Sequence, residues 1–143
     1  MRKALILPTK YVQGEDELLN LGYFVSTFGK KALLIANPAD VDRVRPQLEE
    51  TAKKFDITFV EGGFSGEVTR EETKRLQNVG QKEQADCIIG LGGGKAIDAS
   101  KVVAEGENLI IVPTIAAQDA PTSHSAVLYL SLIHISEPTR LGM

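Results

Sequence analysis

The stretch Cys87-Ile88-Ile89-Gly90-Leu91-Gly92-Gly93-Gly94-Lys95-Ala96-Ile97-Asp98-Ala99-Ser100-Lys101 decides how the chain is read. Cys87 to Leu91 is an apolar run of strand length, and a triple-glycine turn separates it from a helix over Lys95 to Ala104 that stops at Gly106. Backbone without Cβ atoms lets amides approach a phosphate closely, and the helix N-terminus that follows adds about half a positive charge. Gly92, Gly93 and Gly94 therefore mark a phosphate site. Two familiar versions of such a site do not fit. A Walker loop needs Gly where Ile89 stands and Ser or Thr where Ala96 stands, and the Rossmann fingerprint needs its third glycine where Lys95 stands. Spacing alone leaves open a second use of the turn, close packing of strand on helix.

Asp98 lies one helical turn after Gly94, with Lys101 three residues further, which brings both near the face that looks back over the glycines. Asp98 equally fits an acid complementing the helix dipole. Downstream, Leu109 to Val112 forms another strand, followed by Pro113-Thr114-Ile115-Ala116-Ala117-Gln118-Asp119-Ala120-Pro121-Thr122-Ser123. That loop falls beyond the carboxyl end of a strand, where open α/β sheets bind ligands, and its hydroxyls and carboxylate suit a polyol or a ribose. The same residue types also make ordinary turns.

Upstream, short apolar runs alternate with amphipathic segments, the order of a parallel sheet built from strand-helix-strand units. Ala4 to Leu7 reads as a strand ended by Pro8, and Leu18, Leu21, Val25 and Phe28 share one helical face closed by Gly29. Ala32 to Ala36 is a strand buried on both faces, stopped by Asn37-Pro38, so a loop is expected there. Val41, Val44, Leu48, Ala52 and Phe55 follow helical spacing, with Pro46 expected in the first turn. Ile57 to Val60 is a further strand, Gly62 to Gly66 a loop, and Thr69 with Glu72 a capping box that opens a helix ending near Ala85.

Composition narrows the class. The 143 residues are 43% hydrophobic and 24% charged, ordinary for one globular domain. With 16 Lys and Arg against 19 Asp and Glu, the net charge of −3 provides no footprint for nucleic acid or an anionic membrane surface. Apolar runs of a handful of residues cross no bilayer, and the N-terminus has too short an apolar core for a signal peptide, so a cytoplasmic location is expected. One cysteine, Cys87, makes no internal disulfide and reads as packing.

The segment Gly92 to Lys101, with Pro113-Thr114-Ile115 and Asp119-Ala120-Pro121-Thr122-Ser123, closely resembles the glycerol dehydrogenases of the metal-dependent, iron-containing-type alcohol dehydrogenase superfamily. Pro8 to Gly14 and Phe64-Ser65-Gly66-Glu67 are similar too, and the likeness covers about residues 1–129. The resemblance implies an open, mostly parallel Rossmann-like sheet with flanking helices, as in the N-terminal domain of the dehydroquinate synthase-like fold. It also implies oxidation of glycerol to dihydroxyacetone by hydride transfer to NAD, and a homo-oligomer for the complete enzyme. By position, Gly94 and Lys95 match the pyrophosphate-binding pair, and Asn37 falls where the family holds an Asp on the adenosine ribose. Thr114, Ser123 and Tyr129 match further NAD contacts, and Asp119 a residue beside the glycerol. Neutral Asn37 lacks the charge that would repel a 2′-phosphate. Ala117-Gln118 and Ser125 also depart from the family pattern. Rival readings are another metal-dependent alcohol dehydrogenase, a glycerol-1-phosphate dehydrogenase, or a nucleotide-binding fragment without catalysis.

Beyond Tyr129, Leu130 to Arg140 resembles a translated sequencing-library adapter, so residues 130–143 are expected to be a non-native tail outside the fold, although alternation of Leu132, His134 and Ser136 is compatible with a strand. The chain is accordingly expected to be an N-terminal fragment, inactive alone. The resemblance places the ligands for zinc or another divalent metal, an Asp and two His, in a C-terminal helical domain; this chain has only His124 and His134.

Overall fold

A computed structural model describes residues 4–15, 17–113 and 125–135. A six-stranded sheet forms its centre: β1 (Ala4–Glu15), β2 (Lys31–Ile35), β3 (Thr58–Glu61), β4 (Cys87–Gly92), β5 (Asn108–Pro113) and β6 (Ser125–Ile135), in the spatial order β1-β6-β5-β4-β2-β3. The four strands β3, β2, β4 and β5 run parallel, while β6 pairs antiparallel with both β5 and β1. Among the described residues four helices join the strands from β1 to β5: α1 (Leu21–Ser26), entered through a 3₁₀ turn at Glu17–Asn20, α2 (Pro38–Phe55), α3 (Arg70–Glu83) and α4 (Gly94–Val103).

Parallel strands covered on both faces must be apolar throughout. All six residues of β4 are buried, and β2 divides by alternation. Ala32, Leu34 and Ala36 enter a core shared with Leu21, Val25, Val41 and Leu48, so α1 and α2 cover one face. Leu33 and Ile35 enter a second core with Leu76, Ala96, Ala99 and Val103, so α3 and α4 cover the other. Glycine in β4 permits this close approach. A Cβ at Gly90 would lie 2.1 Å from Ser100 Oγ on α4.

The structure corrects three local expectations. The first strand continues through Pro8 to Glu15, and its ladder with β6 shifts register between Pro8 and Lys10; on an edge strand a residue without an amide donor is accommodated at such an irregularity. Asn37-Pro38 opens a helix rather than a loop: Asn37 Oδ1 accepts from Ala39 N at 3.0 Å and Pro38 takes the first helical position, where its missing amide costs nothing. Pro46 consequently lies inside α2, where burial of Val41, Leu48 and Thr51 holds the helix through a residue that costs about 3 kcal/mol in an isolated one. The strand β6 runs across Tyr129 as far as Ile135, with Leu132 opposite both Leu7 and Asn108.

Candidate functional site

From β2 the chain first builds outward to β3, then returns across β2 to place β4 on its other side. At such a reversal, consecutive helices leave opposite faces of the sheet and open a crevice beyond the carboxyl ends of the strands. Ile35 lies in register with Gly90, which brings the start of α2 after β2 beside the glycine turn after β4. Two helix N-termini therefore flank one crevice.

The three glycines differ in what requires them. Gly92 has φ +132°, a conformation open essentially to glycine, and a Cβ there would lie 3.0 Å from Asp40 Oδ2 and 3.4 Å from Ala96 Cβ. Gly93 is the N-cap of α4 with ordinary φ −89°, and a Cβ at Gly93 or at Gly94 would meet nothing within 4 Å. Neither backbone nor packing explains glycine at these two positions. Their effect is to leave the first amides of α4, which no side chain caps, open to an anion.

Lys95 stands beside that opening, exposed, with Nζ 3.2 Å from Glu67 Oε2. Glu67 arrives on the loop after β3, which Gly62 N ties to Leu34 O at 2.9 Å and whose Phe64 is buried. The loop is gripped from α3. Arg75 donates to Gly62 O at 3.0 Å and to Gly63 O at 2.9 Å, while Glu72 accepts from Ser65 N at 2.8 Å. The Arg75 guanidinium holds the Glu72 carboxyl down at about 2. The expected capping box is thus half formed: Thr69 Oγ1 accepts from Glu72 N at 3.0 Å, but the Glu72 carboxylate turns to the loop and to Arg75.

Of the residues singled out in the sequence, the fold brings Asn37, Gly92, Gly93, Gly94 and Lys95 to the crevice. Asp98 is exposed on α4, off the buried stripe of Ala96, Ala99, Ser100 and Val103. Tyr129 sits opposite Ile111, whose other neighbour is Gly90, so its backbone lies level with Gly90, two residues before the end of β4. Thr114, Asp119 and Ser123 fall outside the described residues. Asp40 and Arg75 escaped the sequence reading, which took Glu72 only as a helix cap and Glu67 only as part of a resembling loop, because only chain reversal and loop closure bring Asp40 to the turn and Glu72 and Arg75 to the loop that carries Glu67.

Among the described residues no group of three or more His, Cys, Asp or Glu is arranged to hold a metal ion, and no described helix is long and apolar enough to cross a membrane. A shallow cavity of about 240 Å³, lined by Gln77, Gln81, Gln84 and Ile88, lies at the other end of the strands. Cys87 is buried, and burial together with the Asp86 carboxylate pushes its thiol up to about 12.

Fold and site together define a doubly wound α/β domain with an open, uncapped glycine turn at the switch point of its sheet. The chain belongs to the iron-containing alcohol dehydrogenase family, whose model matches residues 8–136. It is 36% identical over 124 residues to a glycolaldehyde reductase of Halobacterium salinarum, covering 85% of this chain and 34% of that protein. It is 35% identical over 135 residues to a glycerol dehydrogenase of Pseudomonas putida, covering 90% of this chain and 36% of the relative. A solved probable glycerol dehydrogenase from Sinorhizobium meliloti superposes with TM-score 0.57 at 30% identity, over 78% of this chain and 32% of that one. The glycerol dehydrogenase of Schizosaccharomyces pombe shares the fold with TM-score 0.61 at 23% identity, over 70% of this chain and 26% of that one. The chain spans about a third of the length of the curated relatives it matches.

Proposed function

We propose that the chain is the NAD-binding part of an oxidoreductase that interconverts glycerol and dihydroxyacetone by hydride transfer. The observation behind this reading is the bare turn at Gly93 and Gly94, open above the uncapped N-terminus of α4. In it the amides after Gly92 and the Lys95 ammonium hold the pyrophosphate, with Lys95 exchanging Glu67 for phosphate oxygen. Asn37 faces the adenosine ribose; Asp98, Thr114, Ser123 and Tyr129 complete the cofactor contacts, and Asp119 positions the polyol. Residues 1–129 form the binding domain. A divalent metal ion, zinc or another, supplies polarisation of the alcohol oxygen when bound, and no cluster among the described residues is suited to hold it.

The relatives named glycerol dehydrogenase support a polyol, and the one named glycolaldehyde reductase supports the same alcohol–carbonyl chemistry on a smaller hydroxyaldehyde. A relative named glycerol-1-phosphate dehydrogenase, from Picrophilus torridus, is 28% identical and keeps a phosphorylated substrate as the rival. Titrating the chain with NADH and following nucleotide fluorescence tests the cofactor reading. Gly93→Val should unfold at the parent's temperature, since its side chain enters open space, yet bind NADH at least about tenfold more weakly, a difference of 1.4 kcal/mol. A folded Gly93→Val with unchanged NADH affinity would overturn it.

A further inference from the structure

Lys95 Nζ, beside the opening of the glycine turn, is already engaged, 3.2 Å from Glu67 Oε2. An exposed lysine meeting an exposed acid is common on protein surfaces and carries little by itself. What sets this pair apart is how Glu67 is presented. The chain around it is fastened on both sides. Before it, Ser65 N donates to Glu72 Oε2 at 2.8 Å; after it, Thr69 N donates to Glu67 O at 3.1 Å, and Thr69 Oγ1 accepts from Glu72 N at 3.0 Å. Between these anchors Gly66 takes φ +105°, a conformation that favours glycine, and the side chain that follows it reaches α4. Gly66-Glu67-Val68 is thus a short strap that keeps one carboxylate beside the turn.

We propose that Glu67 is a built-in competitor of the ligand's phosphates: its carboxylate takes the place of a phosphate oxygen on Lys95, and the strap holds the affinity of the glycine turn below what Lys95 and the open amides of α4 would reach alone. This rests on the dinucleotide reading above and adds to it a residue that opposes binding. Carboxylate and phosphate oxygens are both anionic acceptors for an ammonium group, so one displaces the other. A tethered competitor acts at an effective concentration that dilution does not lower. After the exchange its anchored backbone keeps the carboxylate near the phosphates, which it repels. The Lys95 and Glu67 side chains are 65% and 70% exposed, so the opposition is modest and salt screens it. A cofactor that leaves after each turnover gains from such a counterweight, since release limits many enzymes.

The test is fluorescence titration of the full chain with NADH at low salt, for the parent, Glu67→Gln, Lys95→Met, the double variant, and Glu105→Gln, which removes the same charge at the other end of the strands. Glu67→Gln should bind NADH about threefold more tightly than the parent, and Glu105→Gln should bind it equally. Inorganic pyrophosphate, displacing NADH, should gain by the same factor. Lys95→Met should bind more weakly, and in that background Glu67→Gln should lose most of its gain. A merely structural role for Glu67 would weaken binding on substitution, so unchanged or weaker binding by Glu67→Gln overturns the proposal. A gain that is as large without Lys95, or that Glu105→Gln matches, overturns it too. If neither the parent nor Glu67→Gln binds NADH, the dinucleotide reading itself falls, an outcome distinct from binding with equal affinities.

Discussion

Arg75 Nη2 sits 2.7 Å from Glu72 Oε2 one turn away on α3, and the two side chains together fasten the loop that carries Glu67 to the glycine turn. The arrangement is electrostatically matched at each contact: the guanidinium donates to two carbonyls, and the carboxylate accepts from the guanidinium and from the Ser65 amide. It holds at a distance from the crevice what an exposed Lys95–Glu67 pair, with both side chains largely in water, is too weak to hold by itself.

The Glu72 contacts should make stability depend on acid. Its carboxyl is held at about 2 against an ordinary 4.5, so its contribution is complete above the unfolded value and is lost as the pH falls from there through the folded one. At pH 7, Glu72→Gln should cost roughly 1 to 3 kcal/mol, the range for removing one partner of a partly buried hydrogen-bonded group. Denaturant unfolding of both proteins from pH 7 downward should show the gap closing below about pH 4.5, because a protonated Glu72 resembles Gln. A gap of constant size would rule out the charged contacts as its source.

The glycines should separate by role. Gly92→Ala places a Cβ 3.0 Å from Asp40 Oδ2 in a φ of +132° and should lower stability by about 1 to 3 kcal/mol. Gly93→Ala enters open space from an ordinary conformation and should change it by no more than about 0.5 kcal/mol. Thermal unfolding of the two variants side by side measures the difference; equal losses would mean that Gly93 also serves the fold.

Asn37 should show a capping role independent of any ligand. Asn37→Ala removes the acceptor for Ala39 N and should cost about 1 kcal/mol, whereas Asn37→Asp keeps an acceptor and adds a charge that suits the helix N-terminus. Urea midpoints at fixed pH check this, and an Ala variant as stable as the parent would refute the cap.

Cys87 should be chemically silent in the folded chain. Burial and the neighbouring Asp86 carboxylate raise the thiol to about 12, leaving almost no thiolate at pH 8. Alkylation with iodoacetamide, read by mass spectrometry, should proceed only at the rate at which the sheet opens and should accelerate sharply in denaturant. Rapid labelling under native conditions would contradict the buried placement.

Several features were legible because their signal is local. The apolar runs at Ala32–Ala36 and Cys87–Leu91 could satisfy water-free surroundings only as strands covered on both faces, and the triple glycine marked a turn between strand and helix before any fold was known. The helical face of Val41, Leu48 and Phe55 was likewise plain, but its start was not: Asn37-Pro38 reads as a strand stop and a helix start alike, and burial of the α2 face decided between them. Nothing in the linear order distinguishes Gly92, which the backbone requires, from Gly93 and Gly94, which it does not. Asp40 at Gly92, and Glu72 with Arg75 on the loop below Lys95, belong to the tertiary structure alone. Periodicity and turn chemistry act over a few residues and so are written in the chain; the meeting of α2, α4 and the loop after β3 depends on which strands become neighbours, a choice made by burying both faces of one sheet at once.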